Sequence, residues 1–221
     1  MKALMIVSKA TLAASKALPV LLIFLASVPG PVRAGAPGSP TVAAQWVVAD
    51  LMEDASQGWK PGLGFNLSGS LPVCRTLDLR ADWGARWLDG DQRRVADLDH
   101  EPRWGGRVGE TTEALRVMPA TLGLVHRFEG WSQGRFWVPY AAAGLGRYDL
   151  RATFADAEGD ERDHGFFRFG WHLRGGVRLH RTSGMHISLE TAIHFIDTPG
   201  KVSPMWEASL GLGALVPGRS R

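Results

Sequence analysis

The run His186-Ile-Ser188-Leu-Glu190 places a histidine, a serine and a carboxylate on one side of an extended segment. A serine activated by a histidine that a carboxylate orients is the arrangement of acyl hydrolases. Same-side neighbours along one strand, however, lie about 6.6 Å apart at Cα, which makes poor triad geometry. The pattern therefore favours packed polar residues, and we predict no catalytic residue here.

A second candidate chemistry is metal binding by His172, His186 and His194 together with Glu190. Imidazole and carboxylate ligands suit several transition metals. Histidines at even spacing also fit a packed interior with arginine and carboxylate partners, and we prefer that interpretation. We therefore predict no metal site and no cofactor. Cys74 is the single cysteine, so neither an intrachain disulfide nor a cysteine metal cluster is available.

The segment that must position His172 is Gly165–His180, and it alternates between two kinds of residue. Bulky apolar side chains fill its odd positions, and cationic ones occur repeatedly at its even positions. A period of two over this length predicts one long β-strand with an apolar face and a charged face.

Seven further segments read as strands, most of them with the same alternation. They are Ala43–Met52, Pro61–Leu71, Leu77–Leu88, Leu115–Phe128, Phe136–Leu150, Met185–Phe195 and Met205–Val216. Short connections alternate along the chain with four longer, more polar ones: Glu53–Lys60, Asp89–Ala114, Arg151–His164 and Asp197–Pro204. This alternation predicts an all-β fold, an eight-stranded antiparallel up-and-down transmembrane barrel.

The first 34 residues have the layout of a secretory signal peptide: three early lysines, the apolar run Ala17–Ala26 and small residues before a cleavage point at Ala34. This segment carries four positive charges and no acid, so its removal changes the formal net charge from +3 to −1. A nearly neutral mature chain lacks the basic surface that nucleic-acid binding requires. We expect residues 35–41 to be a flexible lead-in, 42–216 the barrel and 217–221 a short tail.

Alternation assigns each strand one face toward lipid and one toward the lumen. The residues expected to face lipid are Trp83, Trp87, Phe136, Tyr140, Tyr148, Phe167, Phe169, Trp171 and Trp206. The residues expected to form a lumen charge network are Asp78, Arg80, Asp82, Arg86, Arg147, Asp149, Arg168, His172, Arg174, Arg178, Glu190, His194 and Glu207. A soluble lipocalin-like barrel would invert the two faces, but the bulky aromatics would then choke an eight-stranded interior.

The connection between the sixth and seventh strands also predicts a register. A five-residue loop from His180 to Gly184 would place Arg174 opposite Glu190 and Arg178 opposite His186. A cross-strand pair of arginine and glutamate would then fix the alignment of these strands.

Three stretches carry a family resemblance: Met118–Phe128, Val138-Pro-Tyr-Ala-Ala-Ala-Gly-Leu-Gly-Arg-Tyr148 and Phe169-Gly-Trp-His-Leu-Arg-Gly-Gly-Val177. In these, and in the order and spacing of its strands over residues 42–216, the chain resembles the bacterial outer membrane protein beta-barrel domain group. OmpW-type barrels and OmpA-type transmembrane domains share this layout.

The resemblance implies a location in the outer membrane of a Gram-negative bacterium. The expected partners are outer-membrane lipid, lipopolysaccharide and the outer-membrane assembly machinery, with no nucleic acid. Such barrels usually end on an aromatic residue read by that machinery. Here the last strand ends at Val216 and Pro-Gly-Arg-Ser-Arg follows, which leaves the route of insertion open.

The expected function is a structural or surface-interaction role without enzymatic activity. The alternatives are a narrow OmpW-like channel for small solutes, a soluble lipocalin-like binding barrel and a lipid-modifying hydrolase. The acidic run Asp156–Asp163 and the loop Asp89–Gly109 are expected to be solvated tips. They could instead contact lipopolysaccharide, divalent ions or other cells.

Overall fold

The computed structural model describes residues 39–52, 58–91, 104–107, 109–128, 136–180, 184–198 and 201–216. All of them belong to one compact unit, Arg33–Arg221. The predicted signal peptide, most of the lead-in and the tail lie outside the described residues. No helix in the described part of the chain is long and apolar enough to cross a membrane.

The described residues form eight antiparallel strands that close into one barrel, as the sequence predicts. The strands are β1 Thr41–Leu51, β2 Gly62–Pro72, β3 Leu77–Asp89, β4 Thr111–Arg127, β5 Trp137–Ala155, β6 Glu161–His180, β7 Met185–Thr198 and β8 Lys201–Leu215. Each strand pairs with the next along the chain, and β8 pairs with β1 to complete the ring. Closure removes every sheet edge, which lets strands cross an apolar medium with all backbone groups paired.

Large apolar side chains cover the outer surface of the barrel. Leu63, Leu145 and Phe169 are each about two-thirds exposed or more, at 69%, 70% and 67%. Such side chains point outward from neighbouring strands and form a continuous belt, which is the polarity of a membrane barrel. The soluble lipocalin-like alternative required this apolar face to point inward, and the structure excludes it.

The hairpin of β5 and β6 is longer than the sequence predicts. The segment Arg151–His164, expected to be a loop, is mostly paired strand from Arg151↔Gly165 to Ala155↔Glu161. The reversal needs only residues 156–160, where Asp156 Oδ1 accepts bonds from the backbone N–H groups of Glu158 and Asp160. Gly159 there has a φ of 87°, a conformation that glycine adopts without steric cost. The expected loop Asp197–Pro204 is likewise mostly strand, since β7 ends at Thr198 and β8 begins at Lys201.

The predicted register of β6 and β7 is wrong by two residues. Glu190 lies opposite Gly176, and Arg178 lies opposite Ser188. The ladder continues one residue further than expected, because His180 pairs with His186 before the chain turns. Arg174 nevertheless reaches Glu190 along the diagonal, as shown below.

Candidate functional site

Glu190 of β7 is the centre of a buried polar network in the middle of the lumen. Arg80 of β3 donates to its Oε2 at 2.6 Å, and Arg174 of β6 donates to its Oε1 at 2.5 Å. The Tyr140 hydroxyl donates to the same carboxylate from β5. All four side chains are buried, so one carboxylate ties three other strands together across the lumen.

Asp82 of β3 is the second carboxylate of this network. It accepts bonds at 2.9 Å from Arg80 Nε and from the Asn66 amide, and Arg174 lies 3.4 Å away. The Asn66 amide also donates to the Gln45 carbonyl at 2.9 Å, which adds β1 to the network. Two buried guanidinium groups thus face two buried carboxylates, the condition under which buried charge is tolerated.

A separate pair of charges lies closer to the long-loop end of the barrel. Arg86 of β3 binds Glu207 of β8 through two parallel bonds, the second at 2.8 Å, and donates a third to the Phe65 carbonyl at 3.0 Å. His194 Nε2 lies 3.2 Å from Glu207, and His194 Nδ1 lies 2.8 Å from the Tyr148 hydroxyl. The bidentate geometry fixes the arginine plane in addition to neutralising its charge.

Beyond this pair the lumen becomes apolar. A cluster of buried side chains fills its long-loop end: Val47, Ala49, Leu51, Trp59, Leu88, Trp104, Leu115, Val117, Tyr148, Leu150, Ala152, Phe154, Ile196 and Met205. Trp59 and Trp104 come from outside the strands, and their rings meet edge to face with centroids 6.5 Å apart. Trp59 also packs edge to face on Phe154 of β5. The described loop segments therefore cover the lumen with aromatic rings.

A hydrogen-bonded clamp joins one of these loop segments to β6. Arg162 donates to both carboxylate oxygens of Glu110, at 2.8 and 2.7 Å, and to the Gly105 carbonyl at 3.0 Å. The backbone N–H of Arg107 also donates to Glu110. The pKa of Glu110 is lowered from its ordinary value, mainly because Arg162 donates hydrogen bonds to its carboxylate.

Most of the expected network residues are buried in the lumen. They are Asp78, Arg80, Asp82, Arg86, His172, Arg174, Arg178, Glu190, His194 and Glu207. Arg168 departs from this set because it lies toward the long-loop end of β6. Its guanidinium stacks over Phe166 at 4.8 Å and donates to the Phe167 carbonyl.

The two faces of β5 are the reverse of the prediction at four residues. Tyr140 and Tyr148, expected to face lipid, are buried inside, whereas Arg147 and Asp149 lie on the outer surface with side chains 54% and 42% exposed. The tyrosines fit inside because β6 has glycines beside them. A Cβ on Gly176 would come within 2.8 Å of the Tyr140 ring, and one on Gly170 within 2.9 Å of Tyr148.

Most of the remaining residues expected to face lipid do lie on the outer surface. Trp83, Trp87, Phe167, Phe169 and Trp171 are exposed there, and Trp206 is half-buried there. Phe136 is exposed too, but it precedes β5 and shares the parity of the inward-facing Tyr140. The Trp171 ring stacks on Phe195 with centroids 3.9 Å apart. Arg147 lies over the Phe167 ring at 4.6 Å, at the level where the apolar belt gives way to charge.

The structure does not assemble the catalytic triad that the sequence raised. Ser188 Oγ is buried and has no hydrogen-bond partner among the described residues, so His186 does not activate it. Glu190 is committed to Arg80, Arg174 and Tyr140 instead. The alternative of a metal site at His172, His186, His194 and Glu190 is not assembled either, since the described residues contain no group of three or more ligands that could hold a metal ion.

Sequence reasoning missed the uncharged polar residues of the lumen and its apolar end. Gln45, Asn66, Thr121 and His186 are buried there and were not assigned to the network. The sequence did carry a signal for Asn66: it shares one strand face with Gly62, Gly64, Ser68 and Ser70, and a face of small and polar residues indicates the lumen side.

Comparison of the fold with solved structures finds several small bacterial outer-membrane barrels. Neisserial surface protein A (NspA) aligns with a TM-score of 0.56 at 14% identity, over 80% of this chain and 97% of that one. Ail of Yersinia pestis, solved in complex with the heparin analogue sucrose octasulfate, aligns at 0.52 and 15% over 81% and 99%. OprG of Pseudomonas aeruginosa aligns at 0.53 and 12% over 85% and 100%.

No protein-family model matches the sequence, and no curated protein matches it either. At these identities the likeness concerns the fold. The chain has the eight-stranded barrel fold of small bacterial outer-membrane proteins.

Proposed function

We propose that this chain, exported by a signal peptide in residues 1–34, is an outer-membrane barrel with a structural or surface-interaction role and no enzymatic activity. One observation supports this most strongly: the outer surface is an apolar belt while the lumen is filled by bonded side chains. The apolar belt is stabilised by contact with lipid. Because the lumen is filled, the outer surface and the loops are the main surfaces available to a large partner.

The lumen is closed in two different ways along its length. In the middle, Arg80, Arg174 and Glu190 cross the interior with bonds of 2.5 and 2.6 Å. At the long-loop end, Trp59 and Trp104 pack over the apolar cluster. An eight-stranded barrel is only wide enough for its own side chains, so a filled lumen of this kind opposes the alternative of a narrow channel.

Cell fractionation with detergent extraction tests the location. We expect the mature chain in the outer-membrane fraction, insoluble without detergent, with faster gel migration before heating than after it. Recovery of the mature chain as a soluble protein without detergent would contradict the proposal.

The outer surface offers one specific site for lipopolysaccharide. Arg116 of β4 and Arg151 of β5 lie directly opposite one another on the same outward face. Like charges directly opposed across strands are destabilising, and an anion that binds both would offset this. Among the described residues, Arg151 has only a long, exposed ion pair with Asp163 at 3.8 Å. Arg116 stacks over Trp87 at 5.7 Å, and its buried Nε has no hydrogen-bond partner among the described residues.

The position of this pair matches a lipid headgroup. On β5 the outward residues are apolar up to Leu145 and charged at Arg147, Asp149 and Arg151, so Arg151 lies beyond the belt at its long-loop border. Long loops of outer-membrane barrels face the outside, where lipopolysaccharide phosphates lie. Arginine binds phosphate through paired, charge-assisted bonds.

Substitution of both arginines tests this contact. We expect Arg116→Gln with Arg151→Gln to weaken binding of purified lipopolysaccharide by about 10-fold or more, as loss of two charge-assisted contacts predicts. Arg75→Gln, an equal charge change per site in the short turn at the other end, is the control and should bind as wild type. Equal binding by all three proteins would remove lipopolysaccharide as the ligand of this pair.

A further inference from the structure

Arg178 of β6 is a buried cation to which no carboxylate of the described residues is hydrogen-bonded. The residue is only 8% exposed, and its Nε has no hydrogen-bond partner among the described residues. Its guanidinium carbon lies 5.6 Å from the centroid of the Tyr140 ring. A buried guanidinium without a bonded counter-charge destabilises the fold, so its presence suggests a role in binding an anion.

The described carboxylates around Arg178 are fewer than the arginines. In this half of the lumen the arginines are Arg80, Arg127, Arg174 and Arg178, and the carboxylates are Asp78, Asp82 and Glu190. Arg127 lies 3.3 Å from Asp78. The other two carboxylates bind Arg80 and Arg174. Among the described residues of this half, four arginines therefore face three carboxylates, and one positive charge is in excess.

A second unpaired donor lies beside the first. Ser188 of β7 is the direct cross-strand partner of Arg178, so the two side chains share the inner face. The Ser188 hydroxyl is buried and, like Arg178 Nε, has no hydrogen-bond partner among the described residues. Two adjacent buried donors without an acceptor are rare in folded proteins.

We propose that Arg178 and Ser188 form a binding site for a small oxyanion, reached from the short-turn end of the lumen. A phosphate or carboxylate group offers two or more acceptor oxygens, which suits an arginine fork beside a hydroxyl. The site lies at that end because Arg178 is two residues before the end of β6, and Ser188 is three residues after the start of β7. The anion supplies the missing negative charge and both missing acceptors.

Titration with inorganic phosphate tests the site. The barrel purified in nonionic detergent is titrated calorimetrically with phosphate, and separately with acetate, at constant ionic strength in HEPES buffer. We expect saturable binding of at least one of these anions at one site per barrel. Phosphate alone indicates a phosphate site, and acetate as well indicates a general oxyanion site.

Three variants decide whether the binding belongs to this pair. Arg178→Gln should weaken binding by about 10-fold or more, and Ser188→Ala by a smaller factor, because a charged bond is stronger than a neutral one. Arg147→Gln makes the same charge change on the outer surface, away from both proposed anion contacts, and should bind these anions as wild type. Heat-modifiable gel migration establishes whether each variant is folded. If Arg178→Gln does not fold, Ser188→Ala alone still tests the site.

Two results would overturn the proposal. The first is the absence of saturable binding of either anion to the wild-type barrel. The second is binding that Arg178→Gln and Ser188→Ala leave unchanged, which would place the anion elsewhere.

Discussion

At the scale of single residues, Glu190 shows why charge is retained inside this barrel. The carboxylate accepts bonds from Arg80, Arg174 and Tyr140, which come from three different strands. Its bonds therefore fix the relative positions of β3, β5, β6 and β7 across the lumen. In a narrow interior, bonds that join several strands in one network stabilise the fold more than contacts between adjacent side chains do.

We expect Glu190→Gln to destabilise the barrel strongly. The change leaves two buried guanidinium groups without their main counter-charge, and breaking a buried pair costs about 3–5 kcal/mol. Asp149→Asn breaks the exposed pair with Arg147 and should cost no more than about 1 kcal/mol. Urea unfolding of both variants in lipid vesicles measures the difference, and equal costs would mean that the network does not hold the fold.

The pair of Arg86 and Glu207 should behave non-additively. Either Arg86→Met or Glu207→Gln alone leaves a buried charge, whereas the double variant leaves none. The double variant is therefore expected to be more stable than at least one of the single variants. A double-mutant cycle by urea unfolding measures this coupling, and simple addition of the two costs would argue against a shared bond.

The clamp of Glu110 and Arg162 should make one loop sensitive to acid. Because Arg162 lowers the pKa of Glu110, the stabilisation is present above the ordinary glutamate pKa of about 4.3 and is lost as the pH falls through the lowered value. Amide hydrogen exchange near residues 104–110, corrected for intrinsic rates, should therefore rise in that acidic range. Glu110→Gln should show the faster exchange already at neutral pH, and Glu158→Gln in the exposed turn should not.

At the scale of the strand, β5 shows how much alternation alone predicts. The period of two places Tyr140, Ala142 and Tyr148 on one face correctly, but it does not say which face points inward. The prediction assigned the aromatics to lipid and Arg147 to the lumen, and the structure reverses both. The deciding information lies on β6, where Gly170 and Gly176 provide the space that the tyrosines occupy.

The length of β5 explains why Arg147 and Asp149 were wrongly assigned to the lumen. The strand has 19 residues, whereas about 9–11 tilted residues cross a bilayer. Its outward face is therefore apolar over one part and charged over another, and the charged part lies beyond the belt. A pattern read along a single strand cannot separate a lumen charge from a charge outside the membrane.

A pair of substitutions on the outer face of β5 tests this division. Leu145→Arg places a charge in the belt and should cost about 2–4 kcal/mol if its position is near the bilayer midplane, and less near a border. Thr153→Arg makes the same addition six residues beyond Arg147, where the outward charges of the strand begin, and should be close to neutral. Urea unfolding in vesicles compares them, and equal costs would place the lipid boundary elsewhere.

The register and the apolar end of the lumen lie outside what the sequence could predict. The offset of β6 against β7 depends on where the ladder stops at His180, which no local residue type specifies. The packing of Trp59 and Trp104 depends on loop segments meeting residues of distant strands. Strand number, strand order and most inward-facing charges, by contrast, follow from alternation and connection length.

At the scale of the whole molecule, the barrel is polar in its middle, apolar at its long-loop end and apolar around its outer belt. The apolar belt is stabilised by lipid. The side chains that fill the interior stabilise the eight-stranded barrel and leave no path for a solute. Its proposed interactions are then those of the outer arginine pair Arg116 and Arg151, of the described loop segments, and of the anion site at the short-turn end of the lumen.

Electrical recording from the wild-type barrel in planar lipid bilayers tests this account most directly. Insertion is first established by heat-modifiable migration of the same preparation and by protection of the barrel from protease in vesicles. With the lumen closed by the Glu190 network and by the apolar cluster, we predict no discrete conductance steps above the bare bilayer. Reproducible single-channel steps from the folded, inserted wild type would contradict the account and restore the narrow channel as the function.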